Sequence, residues 1–352
     1  MTAQRWDITQ SQAKLAELAS LLEGLNQRRF LILSHNNPDP DTLAGAFGFS
    51  YLLQKKFNIK CVMGYGGVLT RSENKAMVTR LRIPTTRLRL QDLSPYRTIA
   101  LIDGQPLTGN NLMVTRSHLP LIVVDHHPLR KQSLKSKFHD VRPDYGSTSS
   151  IIAEYLMAAE LTPSRAVATA LLYGIKTDTN SLIRSCCKAD HFAFNYLSTL
   201  SNPRVLGAIE KPPLPINYFR DFQKGLSNTL VFRDVACSLI GRVKTDSIIP
   251  ELADLLLRIE GVTWSLCMGE FEEMMLISLR SKARTQQAGA VLGKLVGKTG
   301  SAGGHREMAG GQIPLVNLSD QQKSQLPSKL IMKFLKLLKR ENANPKPLVR
   351  SD

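Results

Sequence analysis

The stretch FLILSHNNPDPDTLAG, residues 30–45, runs from an apolar segment straight into a histidine and two aspartates. Phe30, Leu31, Ile32 and Leu33 form a short continuous apolar run bounded by turn residues, the pattern of a strand covered on both faces. His35, Asp39 and Asp41 fall on the turn beyond it. Pro38 and Pro40 each fix their own φ and bias the preceding residue away from helix, so the loop carrying the carboxylates is stiff before any ligand arrives. A helix is predicted immediately afterwards, with Asp41 or Thr42 as its cap, Leu43, Phe47 and Tyr51 on its apolar side, and Ala44, Gly45 and Gly48 leaving room for close packing. An imidazole and two carboxylates at the carboxyl end of a strand stand where an α/β sheet places its ligands. Their mixed nitrogen and oxygen character suits a divalent metal. Taken alone, the segment is equally a polar turn before a helix.

Two further runs repeat the theme. TIALIDGQP, residues 98–106, delivers Asp103 after four apolar residues, and PLIVVDHHP, residues 120–128, delivers Asp125, His126 and His127. Buried parallel strands would bring all three ends to one edge of a sheet. Adjacent histidines at a strand end point in different directions, so one at most shares a metal with Asp103 while the other faces substrate. Helical patterns follow over 154–160 and 164–176, the second running out at Asp178. By itself Asp178 reads as a turn or capping residue. Asp39, Asp41, Asp103 and Asp178 nevertheless supply four negative charges, which balance two divalent cations, with His35 and one histidine of the pair as neutral ligands.

The chain has 352 residues and a formal net charge of +17. That length predicts two domains, and the charge favours a polyanionic partner without naming it. No apolar run approaches the ~18–20 residues needed to span a bilayer, and residues 1–14 lack the apolar core of a signal peptide, so a cytoplasmic protein is expected. Five cysteines with no CxxC spacing point to reduced packing residues rather than a disulfide framework or zinc knuckle.

Residues 9–28 carry a leucine stripe expected to pack as a helix on the sheet edge, and residues 59–63 read as a second strand. Prolines cluster between Asn202 and Asn217, which sets the expected division: a catalytic domain over 1–200, a linker over 201–220, a second α/β domain over 221–340 and a basic tail over 341–352. Lys-rich residues 323–352, with Leu330, Phe334, Leu337 and Leu338 interleaved, read as a solvated amphipathic helix and a frayed end. Within the second domain, Gly297, Lys298 and Thr299 do not complete a P-loop, because Leu292 stands where its first glycine must be and a helix precedes it. Gly300, Gly303, Gly304, Gly310 and Gly311 instead predict a loop whose amides approach a phosphate, with His305 as a further donor.

Together these residues resemble the DHH phosphoesterase superfamily, in the branch that carries a C-terminal DHH-associated domain. The namesake triplet is Asp125, His126, His127; HNNPDPD, the Asp103 strand end and GIKTDT at Asp178 match further motifs of the first domain. SLRS at 278–281 and GGHREMAG at 303–310 match the associated domain. Ala44 and Gly45 depart from the family's common Gly-Ser, and Met308 from a usual alanine. The resemblance implies a doubly wound parallel sheet plus a smaller α/β domain, with the active site in a cleft between them and two manganese ions as cofactors. One ion would be held by His35, Asp39 and Asp103, the other by Asp41, Asp103, His126 and Asp178, with Asp125 orienting His126. His127 would act at the phosphate with Asp125 behind it, and Arg280, Ser281, Gly303, Gly304 and His305 would bind substrate. The implied activity is hydrolysis of short single-stranded oligonucleotides or of 3′-phosphoadenosine 5′-phosphate, in a protein with no membrane partner, and it leaves room for a homodimer. A soluble cyclic-dinucleotide phosphodiesterase is the alternative within the family. A pyrophosphatase or exopolyphosphatase shares the metal chemistry, and a catalytically inactive nucleic-acid-binding protein is the rival of another class.

Overall fold

Alternation along the first strand decides the layers of the N-terminal sheet in the computed structural model, which describes residues 6–25, 29–69, 71–113, 119–183, 186–283, 287–304, 306–316 and 318–349. Strand β1 (Arg29–Ser34) sends Phe30 and Ile32 to one face and Leu31 and Leu33 to the other. All four are fully buried, as expected of a strand covered on both sides. The other strands of this sheet are β2 (Lys60–Tyr65), β3 (Thr85–Arg87), β4 (Ile99–Ile102), β5 (Ile122–Asp125) and β6 (Phe138–Val141). They are ordered β3-β2-β1-β4-β5-β6, and every pairing is parallel. Strand order therefore reverses between β1 and β4, the switch point at which an open α/β sheet offers a crevice beyond its carboxyl ends.

The helices of this unit are α1 (Thr9–Glu23), α2 (Pro40–Phe57), α3 (Ser72–Leu81), α4 (Thr148–Ala158), α5 (Arg165–Asp178), α6 (Lys188–Leu200) and α7 (Pro203–Glu210). Residues from all seven join Phe30, Ile32, Ile102 and Val124 in one core. The opposite face is closed by Leu93, Leu112 and Met113 from connections that carry no α-helix. Cap assignment on α2 differs from expectation: Asp39 is the N-cap, accepting the Thr42 N–H at 2.9 Å, and Pro40 takes the first helical position, where its missing N–H costs nothing. The predicted linker likewise holds α7, because Pro203 sits at the helix start, capped by Asn202.

The chain divides at residue 212. The second unit contains α8 (Ile216–Ser227), β7 (Thr229–Phe232), β8 (Val235–Arg242), α9 (Ile248–Leu256), β9 (Trp264–Phe271), β10 (Met274–Ser281), α10 (Ala288–Val296), β11 (Ser301–Gly304), β12 (Met308–Pro314), α11 (Asp320–Leu337) and β13 (Lys346–Pro347). Its sheet runs β11-β12-β10-β9-β8-β7-β13, antiparallel except for β8 with β9. Two expectations change here. The glycine segment is not a loop: Ser301–Gly304 forms an exposed edge strand paired with β12. A Cβ on Gly289 of α10 would stand 2.5 Å from the Gly304 carbonyl oxygen, so glycine permits a close helix–strand approach. The tail is not wholly frayed either, since β13 adds to β7 and the Leu348 N–H donates to the Thr229 carbonyl. Leu330, Phe334 and Leu335 of α11 are buried in the unit's core. All five cysteines are free thiols, and no helix among the described residues is long and apolar enough to cross a membrane.

Candidate metal centre

Register brings the three motif ends level. Leu33 pairs with Leu101 and Ile102 with Val124, so His35, Asp103 and Asp125 follow side by side on β1, β4 and β5. Asp103 adopts left-handed backbone, φ 56°, which aspartate tolerates better than most residues. Its carboxylate is buried between the two sides of the switch point. Oδ2 lies 3.7 Å from His35 Nε2, and Oδ1 lies 3.6 Å from His126 Nε2.

Each histidine is anchored through Nδ1. His35 Nδ1 donates to the Asn36 carbonyl at 2.8 Å, His126 Nδ1 to the Tyr145 carbonyl at 3.2 Å, and His127 Nδ1 to Asp125 Oδ1 at 2.8 Å. An acceptor at Nδ1 fixes the tautomer, and for His35 and His126 it turns Nε2 toward the carboxylates. Asp125 was expected to orient His126. Its carboxylate orients the ring of His127 instead and touches His126 only at the backbone N–H, because the His126 ring has already found the Tyr145 carbonyl.

Three groups of side chains have ligand atoms close enough for one ion: His35, Asp39 and Asp103; Asp41, His126 and Asp178; and Asp103, His126 and His127. The first brings together the three residues expected of one ion; the second brings together three of the four expected of the other, Asp103 being grouped with His126 only in the third. Whether they suit a cation can be tested on the residues themselves. His126 Nε2 is buried without a hydrogen-bond partner, although Asp178 Oδ2 stands 3.3 Å away. Burial opposes charge on His35, yet Asp39 and Asp103 overcome it and push its pKa up to about 10. Burial and the neighbouring Asp103 and Asp178 hold Asp41 well above the ordinary carboxylate range. Burial, then Asp39, raise Asp178 to about 6. Asp41 and Asp178 thus resist being ionised together, while the neighbouring carboxylates draw protons onto His35 and His126. A divalent cation would satisfy both demands, so the residues fit one.

Several contributors were not legible as site residues. Buried Thr42 and Thr148 donate their hydroxyls to Asp103. The backbone N–H groups of Thr148 and Ser149, at the start of α4, donate to Asp41 at 2.7 and 2.9 Å. Buried Gln105 donates to Asp125 Oδ2 at 2.6 Å and accepts from the Arg130 N–H and the Ser133 hydroxyl. The only signals were position: Gln105 two residues past a strand-end aspartate, and Thr148 in a GSTSS run before an apolar helix.

In the second unit Arg280 is buried, its Nε donating to Asp254 Oδ1 at 2.5 Å and its Nη1 to Ser278 and the Leu279 carbonyl. Ser281 is buried and accepts the Ala283 N–H. Gly303 and Gly304 lie on the exposed edge strand. His305 lies outside the described residues.

Residues 29–175 match the family described as DHH family, N-terminal domain. An uncharacterised protein of Methanocaldococcus jannaschii is 34% identical over 286 residues, 81% of this chain. A second uncharacterised protein of that organism is 28% identical over 194 residues, 53% of the chain. The matches span 58% and 56% of those relatives' own lengths. Among solved structures, an exopolyphosphatase-related protein from Bacteroides fragilis superposes with a TM-score of 0.67 at 18% identity, covering 93% of this chain and 98% of that one, which establishes likeness of fold. With the DHH triplet at the end of β5 and the family's model matched around it, residues 29–175 of this chain are a DHH-family N-terminal domain.

Proposed function

We propose that the chain is a metal-dependent phosphoesterase acting on short single-stranded oligonucleotides, with 3′-phosphoadenosine 5′-phosphate as a second substrate and manganese as its preferred ion. The observation that carries this reading is Asp103: one carboxylate whose two oxygens face two histidines, each within a separate group of potential ligands. His35, Asp39 and Asp103 would hold one ion, and Asp41, Asp103, His126 and Asp178 the other. When bound, such a pair polarises a phosphoryl oxygen and lowers the pKa of attacking water. The chain's own residues then orient the reaction. His127, aligned by Asp125 and 37% exposed at its side chain, would donate to a phosphoryl oxygen or the leaving oxygen. The +17 charge favours approach of a polyanion. The gathering of His35, Asp39, Asp41, Asp103, His126 and Asp178 into two clustered groups favours an enzyme over an inactive binding protein, which would have no use for buried like charges.

The test is chromatographic. Metal-free protein is reconstituted with Mn2+ or Mg2+ and offered a ribodinucleotide, 3′-phosphoadenosine 5′-phosphate, a cyclic dinucleotide and pyrophosphate. Dinucleotide conversion to mononucleotides, abolished in Asp103→Asn with the fold intact, is the expected result. Turnover confined to pyrophosphate, or undiminished in Asp103→Asn, would overturn the assignment.

A further inference from the structure

Thr42 and Thr148 come from different helices, 106 positions apart in the chain, yet make the same pair of bonds. Both are fully buried. The Thr42 backbone N–H donates to Asp39 Oδ1 at 2.9 Å, and its hydroxyl donates to Asp103 Oδ2. The Thr148 backbone N–H donates to Asp41 Oδ2 at 2.7 Å, and its hydroxyl donates to Asp103 Oδ1 at 2.9 Å. Each threonine therefore ties the shared carboxylate to a carboxylate belonging to one group only. Each hydroxyl also touches the Asp103 oxygen that faces that group's histidine: Oδ2 toward His35, Oδ1 toward His126.

We propose that Thr42 and Thr148 are paired positioning residues, each setting the geometry of one of two cation sites that share Asp103. The inference rests on the two-ion reading above and goes beyond it by assigning one residue to each ion. An ionised carboxylate offers about four lone-pair directions. A hydroxyl bound to each oxygen leaves the remaining direction of each for an ion and stops rotation about the Cβ–Cγ bond. Without both donors, Asp103 could turn both oxygens to one side. Branching at Cβ restricts each hydroxyl to few rotamers. Gly45 leaves room for the Thr148 methyl in this rotamer, because a Cβ there would stand 3.3 Å from that methyl and 3.1 Å from Ile102.

Isothermal titration of metal-free full-length protein with MnCl2 tests the assignment. Wild type should bind two ions. Thr42→Val and Thr148→Val should each retain one at near wild-type affinity and weaken the other by about 10–100-fold, the range for residues that orient metal ligands, while Thr42→Ser and Thr148→Ser bind both. Adding Thr42→Val to His35→Ala should change little, since both act on one ion, whereas adding Thr148→Val to His35→Ala should weaken both ions. The electron paramagnetic resonance signature of exchange-coupled Mn2+ should be lost in each valine variant. Valine variants that bind two ions as wild type does, valine variants that each weaken both ions equally, or serine variants as weak as the valines would overturn the pairing while leaving the two-ion site standing. A wild-type chain that binds no manganese would overturn the site itself and the pairing with it.

Discussion

Asp178 separates a structural from a functional carboxylate by thermodynamics alone. It is the last residue of α5, but closure of that end runs through Thr179 N–H to the Ile175 carbonyl and Asn180 N–H to the Thr177 carbonyl, neither of which uses its side chain. A negative charge at a helix C-terminus opposes the macrodipole by about 0.3–1 kcal/mol. Its contact with His126 at 3.3 Å is outweighed by burial and by Asp39, which together raise its pKa to about 6, so the charge adds no net stability to the metal-free fold. Asp178→Asn should therefore leave metal-free stability within about 1 kcal/mol of wild type, which for a unit of this size is about 2–4 °C in Tm. An ion at a hundredfold excess over its Kd adds about 2.7 kcal/mol, or roughly 5–11 °C by the same conversion. If loss of a ligand weakens that ion a hundredfold, its contribution falls to about 0.4 kcal/mol. Differential scanning calorimetry with and without MnCl2 should show an unchanged or slightly raised metal-free Tm in the variant and loss of the shift due to that ion. A variant that melts early when metal-free yet keeps the full manganese shift would refute the reasoning and make Asp178 a structural residue.

Gln105→Met should lower the unfolding free energy of the first unit by about 2–4 kcal/mol, because the Arg130 N–H and Ser133 hydroxyl lose a buried acceptor; with Asp125 released, kcat should fall more than KM rises, as steady-state kinetics beside urea denaturation would register. Deleting residues 341–352 removes β13 and its pairing with β7. A few exposed backbone bonds are lost, at a cost of about 1–2 kcal/mol in the second unit. Dinucleotide cleavage should stay within about twofold of wild type, whereas a steep, salt-dependent loss of activity on long strands would mark the tail as a nucleic-acid contact.

What the sequence determined by itself was the framework of the site. Apolar runs at 30–33, 99–102 and 121–124, each discharging into acid or imidazole, specify buried parallel strands, and parallel strands must present their carboxyl ends on one edge. His35, Asp103 and the Asp125, His126, His127 triplet were legible for that reason, and Asp178 followed from counting charges. Tertiary structure decided which partner each group takes. The anchors of His35 and His126 are backbone carbonyls, of Asn36 and Tyr145, and a carbonyl carries no mark in a sequence because every residue has one. Asp125 consequently aligns His127 rather than the ring of His126. The Thr42–Asp103–Thr148 arrangement joins three elements brought together by the strand-order reversal between β1 and β4, and no local pattern encodes it. Edge strand β11 differs from expectation for a related reason: among the glycines that read as a phosphate loop, Gly300 and Gly304 lie against the backbone of β12, at the Gln312 and Met308 carbonyls, and periodicity cannot distinguish a backbone that must lie near a ligand from one that must lie near another backbone.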